Sequence, residues 1–236
     1  MALPRLNENS QYELTIPSKK QVVQYRPFLV KEQKVLLIAY ESQDRRQILN
    51  AMLNTIEACL KEPLNVKALS TFDVDYMFTQ IRAKSVGETS DILIACSECE
   101  TQNEIKINLE EIKIDVGENN NLIELTDKIS VRMRFPNYDY FISNDVLMGE
   151  STQSEQLMAL VVSCIDAVET EDERISMQDE SNEEIMGFLD SLTTDQFDKI
   201  AQFTLDLPKL EHEVAFKCKD CGTDNKRILR GIDDFF

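Results

Sequence analysis

The first third of the chain shows two hydrophobic patterns in succession. Tyr12–Ile16 has apolar residues at every second position, which predicts a short strand that returns over residues 22–28. Beyond it, apolar residues recur every three or four positions, as on one face of an amphipathic helix. Helices are therefore predicted over residues 29–42, 44–60 and 70–84. Residues 1–10 are predicted to form a loose arm.

From residue 91 onward the period of the pattern changes to two. Apolar residues alternate with polar ones up to Cys96, and the alternation resumes over 105–109. Two alternating segments around a short polar turn predict a β-hairpin with Cys96–Cys99 at its tip. A second hairpin of this kind is predicted where alternating residues lead into Cys218–Cys221.

The segment 115–121 contains Gly117 and three consecutive Asn residues, which are typical of a loop. It divides the sequence into a predicted N-terminal half, 1–114, and a predicted C-terminal half, 122–236. In the second half the pattern predicts a strand over 128–135, an acidic connection over 170–181, and helices over 155–168, 182–191 and 194–205.

The two halves share four short features in the same order, which favours an internal repeat. The matched pairs are Val23–Phe28 with Val131–Pro136, Ile56–Ala58 with Ile165–Ala167, Leu69–Thr71 with Leu192–Thr194, and the two Cys-x-x-Cys hairpins. Short apolar and Thr-capped segments also recur by chance, so only the structure can decide. The predicted fold class is α+β, mostly helical with short β-hairpins, and a zinc-ribbon-like clamp of four cysteines would join the two halves.

Four cysteines form two Cys-x-x-Cys pairs, Cys96 with Cys99 and Cys218 with Cys221. Four thiolates are the ligand set of a tetrahedral structural zinc ion. Because 118 residues lie between the pairs, a shared ion would not form a compact finger. We predict one structural Zn²⁺ bound by all four residues. Two separate redox pairs, or thiols that are unliganded or disulfide-bonded, are the alternatives that the sequence leaves open.

The remaining cysteines and the turn glycine have local interpretations. Gly222 directly follows Cys221 and fits a turn that needs a positive φ, whereas Glu100 stands in the equivalent place after the first pair. Cys59 and Cys164 lie on the apolar stripes of predicted helices. We expect both to be small buried hydrophobic residues.

The charge of the chain argues against a nucleic-acid partner. There are 43 acidic and 25 basic residues, which gives a net charge of −18. Phosphate binding needs clustered Lys and Arg, and acidity instead indicates solubility or a partner with a basic surface. No stretch reaches the roughly 20 apolar residues of a membrane helix, and no signal sequence is recognised. The expected location is the cytoplasm of the cell that makes the protein.

The sequence contains no recognisable catalytic constellation. His212 is the single histidine, so a Ser-His-Asp or Cys-His arrangement would depend on it. Neighbouring carboxylates such as Glu110 and Glu111 are typical of a solvated surface, and no phosphate-binding glycine motif is present. The protein is therefore predicted not to be an enzyme and to have no small-molecule substrate.

Several long segments resemble the baseplate hub proteins of T4-like phages. They are Met1–Asn7, Tyr25–Leu37, Glu41–Asp44, Thr71–Phe78, Arg82–Thr89, the two cysteine pairs and the Asp-Phe-Phe end. The resemblance spans nearly the whole chain. It implies a late viral protein that is needed to build the central hub of a contractile-tail baseplate, either as a hub subunit or as an assembly factor.

The resemblance implies other baseplate hub or tail proteins as partners, and carries over no active site. The expected locations are the host cytoplasm during assembly and the tail baseplate. Arg82–Glu88 is a candidate partner surface or an exposed loop, and Asp233–Phe236 is a docking peptide or part of the core. A hub-associated hydrolase and a zinc-dependent nucleic-acid-binding regulator are the rival functions. An open metal site would favour the first and a basic face the second.

Overall fold

The chain folds into two units, and the first is built from both ends of the sequence. The computed structural model describes residues 11–117, 121–149, 151–231 and 234. Unit 1 comprises Met1–Val116 and Pro208–Phe236, and unit 2 comprises Gly117–Leu207. The first boundary falls in the predicted loop at 115–121. The units do not follow the predicted halves 1–114 and 122–236, because residues 208–236 group with the N-terminal part of the chain.

The described residues form helices and strands in both units. The helices are α1 (Val30–Glu41), α2 (Arg45–Cys59), α3 (Thr71–Val86), α4 (Tyr138–Ser143), α5 (Asp145–Met148), α6 (Gln153–Cys164), α7 (Asn182–Asp190) and α8 (Thr194–Leu205). The strands are β1 (Tyr12–Ile16), β2 (Gln21–Tyr25), β3 (Thr89–Ala95), β4 (Gln102–Asn108), β5 (Leu122–Glu124), β6 (Ser130–Met133), β7 (Ile165–Glu169), β8 (Arg174–Ser176), β9 (Glu211–Lys217) and β10 (Asp224–Arg230).

Polar side chains fix the starts of the helices in unit 1. Asp44 caps α2, as predicted, by accepting the N–H of Gln47 at 3.2 Å. Ser70 and Asp73 form a capping box at the start of α3. Asp73 is fully buried and also accepts the N–H and the hydroxyl of Ser18 in the β1–β2 turn. One carboxylate therefore both starts α3 and anchors the first hairpin.

The two cysteine hairpins share an apolar cluster within unit 1. β3 pairs with β4 and β9 pairs with β10, both antiparallel. The buried residues of this cluster come from both hairpins and the segments beside them: Ala83, Ile94, Ile107, Leu109, Ile112, Leu210, Val214 and Leu229. This packing is the physical reason why the last hairpin belongs to unit 1.

Unit 2 is a four-stranded antiparallel sheet with helices packed against it. The strand order is β5-β6-β7-β8. Val161 of α6, Ile185 of α7 and Ile200 of α8 pack in one core with Val131 of β6 and Ile165 of β7. All three helices begin with a capping box, which satisfies backbone N–H groups that the helix itself leaves unpaired.

The helix predicted over 155–168 is wrong at its C-terminal end. α6 ends at Cys164, and Ile165–Glu169 forms β7 instead. β7 pairs with β6 on one side and β8 on the other. A short apolar run that is buried in a central strand cannot be told from the buried face of a helix by its period alone. Tertiary pairing decides the conformation here.

This strand contradicts one of the four correspondences on which the internal repeat rests. Ile56–Ala58 lies in α2, whereas Ile165–Ala167 lies in β7. The helices that precede the two hairpins, α3 and α8, do begin at similar caps, Ser70 and Thr193. The duplication therefore stays a prediction. The α+β class is confirmed, but the dominance of helices is not.

Within the described part of the chain, no helix combines the length and the apolar character needed to cross a membrane. The predicted arm at 1–10 lies outside the described residues. The same holds for the terminal segment Asp233–Phe236 apart from Asp234.

Candidate metal centre

Cys96 and Cys99 lie in the turn of the β3–β4 hairpin. The N–H of Cys96 donates to the carbonyl of Thr101 at 2.9 Å, and the N–H of Glu100 donates to the carbonyl of Cys96 at 3.1 Å. These two hydrogen bonds close a tight turn around the pair. The alternating pattern of the flanking strands therefore places both thiols at one end of a hairpin.

The turn of the β9–β10 hairpin has the same hydrogen bonds. The N–H of Cys218 donates to the carbonyl of Thr223 at 2.9 Å, and the N–H of Gly222 donates to the carbonyl of Cys218 at 3.0 Å. Gly222 has a φ of 73°, and Glu100 in the first turn has a φ of 58°. Glycine adopts this left-handed conformation freely, while other residues pay about 1 kcal/mol for it. The first turn therefore reaches the same shape without the glycine.

The structure places the four sulfur atoms of the predicted site close together. The distances are 3.6 Å from Cys96 to Cys221, 3.6 Å from Cys99 to Cys218 and 3.4 Å from Cys99 to Cys221. All four lie within 4.8 Å of one another. Zn–S bonds of about 2.3 Å in a tetrahedron put the sulfurs about 3.8 Å apart, whereas a disulfide needs about 2.05 Å. The spacing suits a single ion and not a pair of disulfides.

Two buried asparagines link each turn to the sulfurs of the other. Asn103 points its amide N–H at Cys218 Sγ at 3.8 Å, and its Oδ1 accepts the N–H of Lys219 at 2.9 Å. Asn225 points its amide at Cys96 Sγ at 3.5 Å, and its Oδ1 accepts the N–H of Ser97 at 3.0 Å. Each asparagine also donates to the carbonyl two residues before it in its own turn. The cluster is thus built from two equivalent halves that hold each other.

The spacing of the cysteines does not identify these asparagines, although the sequence contains a signal for them. Cys96-Ser-Glu-Cys-Glu-Thr-Gln-Asn103 and Cys218-Lys-Asp-Cys-Gly-Thr-Asp-Asn225 share the pattern Cys-x-x-Cys-x-Thr-x-Asn. The shared threonines lie beside the second sulfur of each pair, with Thr101 Oγ1 at 3.4 Å and Thr223 Oγ1 at 3.3 Å. Groups that orient the ligands are a regular part of metal sites.

Backbone N–H groups hold the pKa of two thiols below the ordinary value. The pKa of Cys218 is lowered to about 6, mainly by a hydrogen bond from the backbone N–H of Cys221. The N–H of Cys99 is the main cause that lowers the pKa of Cys96. Hydrogen bonds from Thr223 lower the pKa of Cys221, but the nearby sulfurs and burial outweigh them and the net shift is upward. A bound cation would remove this repulsion, and it binds the thiolate form.

The other two cysteines have the role that the sequence predicts for them. Cys59 and Cys164 are buried in the apolar interior. Burial raises the pKa of Cys59 to about 11 and that of Cys164 to about 12. Both thiols are therefore protonated at neutral pH. His212 lies on β9 and is not part of the cysteine cluster.

The candidate partner surface Arg82–Glu88 is not an exposed loop. Its first five residues form the last turn of α3, and Ala83 is buried. Lys84 forms ion pairs with Glu88 and with Glu110. The segment therefore holds the end of α3 against the following strand region.

The arrangement of the cysteines supports structural rather than catalytic chemistry. In the described part of the chain, this is the cluster of His, Cys, Asp or Glu side chains that can hold a metal ion. Four thiolates around one ion complete its coordination and leave no position for a substrate. Such a site cross-links the segments that carry it.

The chain is a viral tail protein by family. It belongs to the T4 bacteriophage base plate proteins, because the sequence model of that family matches residues 9–236. The chain is similar to the baseplate hub assembly protein gp26 of Enterobacteria phage T4, with 23% identity over 226 residues. That match covers 96% of this chain and 98% of the relative. No solved structure matched the chain.

Proposed function

We propose that the protein helps to build the hub of a contractile-tail baseplate by binding other baseplate proteins. The family membership over residues 9–236 carries this proposal. The hub assembly protein of phage T4, similar over 96% of the chain, supports the hub as the site of action. The protein would act in the host cytoplasm during assembly, and the tail baseplate is a further location.

Affinity purification from infected cells tests this role. A tagged chain is expected to recover baseplate hub proteins from infected cells. Mass spectrometry of purified tails then distinguishes a hub subunit, which is present in them, from an assembly factor, which is absent. Recovery of no baseplate protein at any stage of infection would contradict the proposal.

We also propose that Cys96, Cys99, Cys218 and Cys221 bind one structural zinc ion. The sulfur spacing, the lowered pKa of Cys218 and the two crossing asparagines support this ligand set. The ion would join two hairpins that come from the two separate chain segments of unit 1. A structural zinc contributes on the order of 10 kcal/mol, which is comparable to the net stability of a domain.

Metal analysis of gently purified protein tests the site. One zinc per chain is expected, with X-ray absorption showing four Zn–S distances of about 2.3 Å. Cys218→Ser is expected to lose the ion, and Cys59→Ala, a buried cysteine elsewhere in unit 1, is the matched control that keeps it. Wild-type protein without metal, or a Cys218→Ser variant with unchanged zinc, would rule out the four-cysteine site.

The rival functions gain no support from the described residues. The four-thiolate cluster has no open coordination position of the kind a hydrolase needs. The net charge of −18 disfavours phosphate binding by a regulator. The assembly role is therefore the function that the molecule supports best.

A further inference from the structure

Helix α1 carries apolar side chains on its outer face as well as on its inner one. The inner face is buried through Leu36 and Ala39. On the outer side, Val30 is 65% exposed, Leu37 is 55% exposed and Ile38 is 67% exposed. The apolar positions of α1 therefore extend beyond the face that is buried in unit 1. Single exposed hydrophobic residues need no explanation, but a group of them on one helix indicates a contact surface.

The polar residues on this outer face are arranged so that the face is complementary to itself. Lys34, Leu37, Ile38 and Glu41 have i, i+3, i+4 and i+7 spacing, which places them on one face of α1. The two apolar residues lie in the middle, and the charged residues lie about 10 Å apart along the axis. Turning the helix end to end exchanges the positive and negative ends of this face.

We propose that two copies of the chain pair through the outer faces of α1, antiparallel about a two-fold axis that passes between Leu37 and Ile38. Each Lys34 then faces the Glu41 of the second copy, while Leu37 and Ile38 pack against the same residues of that copy. The interface is isologous and closes as a dimer. The proposal goes beyond the assembly role and depends neither on it nor on a bound metal.

Charge favours a second copy as the occupant of this face. A chain with a net charge of −18 repels its own copies, so self-association needs a surface that is locally neutral. α1 provides one, since its two Lys and two Glu residues balance. A strongly basic partner would meet Lys34 as well as Glu41 on this face and would gain no net attraction.

The size of the face sets the expected strength of the dimer. α1 has 12 residues and is therefore about 18 Å long. Stable interfaces bury roughly 800 Å² on each partner, more than one helix of this length presents. We expect a weak dimer in rapid exchange, with a dissociation constant on the order of micromolar.

Sedimentation velocity of the whole chain, from about 1 to about 100 µM, tests the pairing. Wild-type protein is expected to shift from monomer to dimer over this range. Ile38→Asp is expected to weaken dimerisation by about tenfold or more, because it places a carboxylate in the middle of the face. Leu205→Asp, at a residue of α8 that is 58% exposed, is the matched control and is expected to dimerise like wild type.

Charge reversal tests the antiparallel register. Lys34→Glu alone and Glu41→Lys alone each place like charges opposite one another and are expected to weaken the dimer by about tenfold. The double variant Lys34→Glu/Glu41→Lys restores opposite charges and is expected to restore dimerisation. All these residues are exposed, so thermal melts should show that each variant folds.

Three results would overturn the proposal. The first is wild-type protein that stays monomeric up to about 100 µM. The second is an Ile38→Asp variant that dimerises like wild type. The third is a double charge variant as weak as the two single variants. If wild-type protein is monomeric and α1 instead binds a different baseplate protein, the proposal is overturned in the same way as by the first result.

Discussion

The two units of this chain are stabilised in different ways. Unit 2 packs α6, α7 and α8 on a four-stranded sheet around one apolar core. In unit 1 the described strands form two-stranded hairpins, which are marginal on their own in water. The two cysteine hairpins gain a shared apolar cluster and a sulfur cluster at their tips. A unit with little sheet of its own thus has its candidate metal ligands in the turns that join its strands.

The units also differ in charge. Unit 2 carries 20 acidic and 5 basic residues, a net charge of −15, whereas unit 1 carries 23 acidic and 20 basic residues, a net charge of −3. The acidity of the chain is therefore a property of unit 2. The solubility effect and any attraction for a basic partner, which the sequence leaves open for the whole chain, belong to that unit.

Metal removal is expected to have the largest effect, and to affect unit 1 alone. If zinc occupies the four-cysteine site, a chelator should release the two cysteine hairpins while unit 2 stays folded, because the ion would supply on the order of 10 kcal/mol to unit 1 only. Hydrogen exchange followed by mass spectrometry should show faster exchange in β3, β4, β9 and β10, with β6 and β7 unchanged. Exchange rates in the cysteine hairpins that do not change on chelation, or rates that rise equally in both units, would contradict this prediction.

A core substitution in unit 2 is expected to give the reverse result. Ile165→Ala removes a fully buried side chain from β7 and should cost about 2–5 kcal/mol of the unfolding free energy of unit 2. Urea unfolding monitored by hydrogen exchange should locate the loss of stability in β6, β7 and α6. Bound zinc should stay at one ion per chain, and loss of the ion in this variant would show that the units are not independent.

The crossing asparagines Asn103 and Asn225 are expected to contribute to metal affinity within unit 1. Asn103→Ala and Asn225→Ala each remove a side chain that orients a sulfur, and each should lower zinc affinity by about 10- to 100-fold. Competition with a coloured chelator measures this affinity. Asn54→Ala, at an exposed position of α2, is the matched control. Wild-type affinity in both buried variants would show that the asparagines serve the turns alone.

Salt is expected to have the smallest effect. Raising the ionic strength screens the repulsion among the acidic residues of unit 2, which should stabilise that unit by about 1 kcal/mol and unit 1 by less. Urea unfolding at low and high salt, followed by amide signals assigned to each unit, measures the difference. An equal gain in both units would show that the larger net charge of unit 2 does not lower its stability relative to unit 1.

The sequence predicts the local elements of unit 1 well, because each has its own signal. Tyr12–Ile16 alternates and forms β1, Asp44 caps α2, and the cysteine turns lie at hairpin tips. The four metal-ligand candidates follow from spacing and side-chain chemistry alone. These features depend on residues that are close in sequence, so a pattern can report them.

The elements that the sequence misses depend on contacts with distant segments. The strand Ile165–Glu169 is one case, since β7 pairs on both sides, with β6 and with β8. Other cases are the short helices α4 and α5 and the strand Arg174–Ser176. Each has so few residues that the hydrophobic pattern does not repeat often enough to be recognised. The grouping of residues 208–236 with unit 1 likewise depends on packing that no local pattern shows.

The distance between the cysteine pairs along the chain has a consequence for synthesis. Cys218 is made 119 residues after Cys99, which takes a ribosome about 6–24 s. Unit 2 is continuous in sequence and leaves the ribosome before the second cysteine hairpin does, so we expect it to fold first. The thiols of Cys96 and Cys99 therefore stay reduced and without their partner cysteines until the second hairpin has been synthesised. Any partner that recognises the closed form of unit 1 would therefore meet only chains in which the acidic unit is already in place.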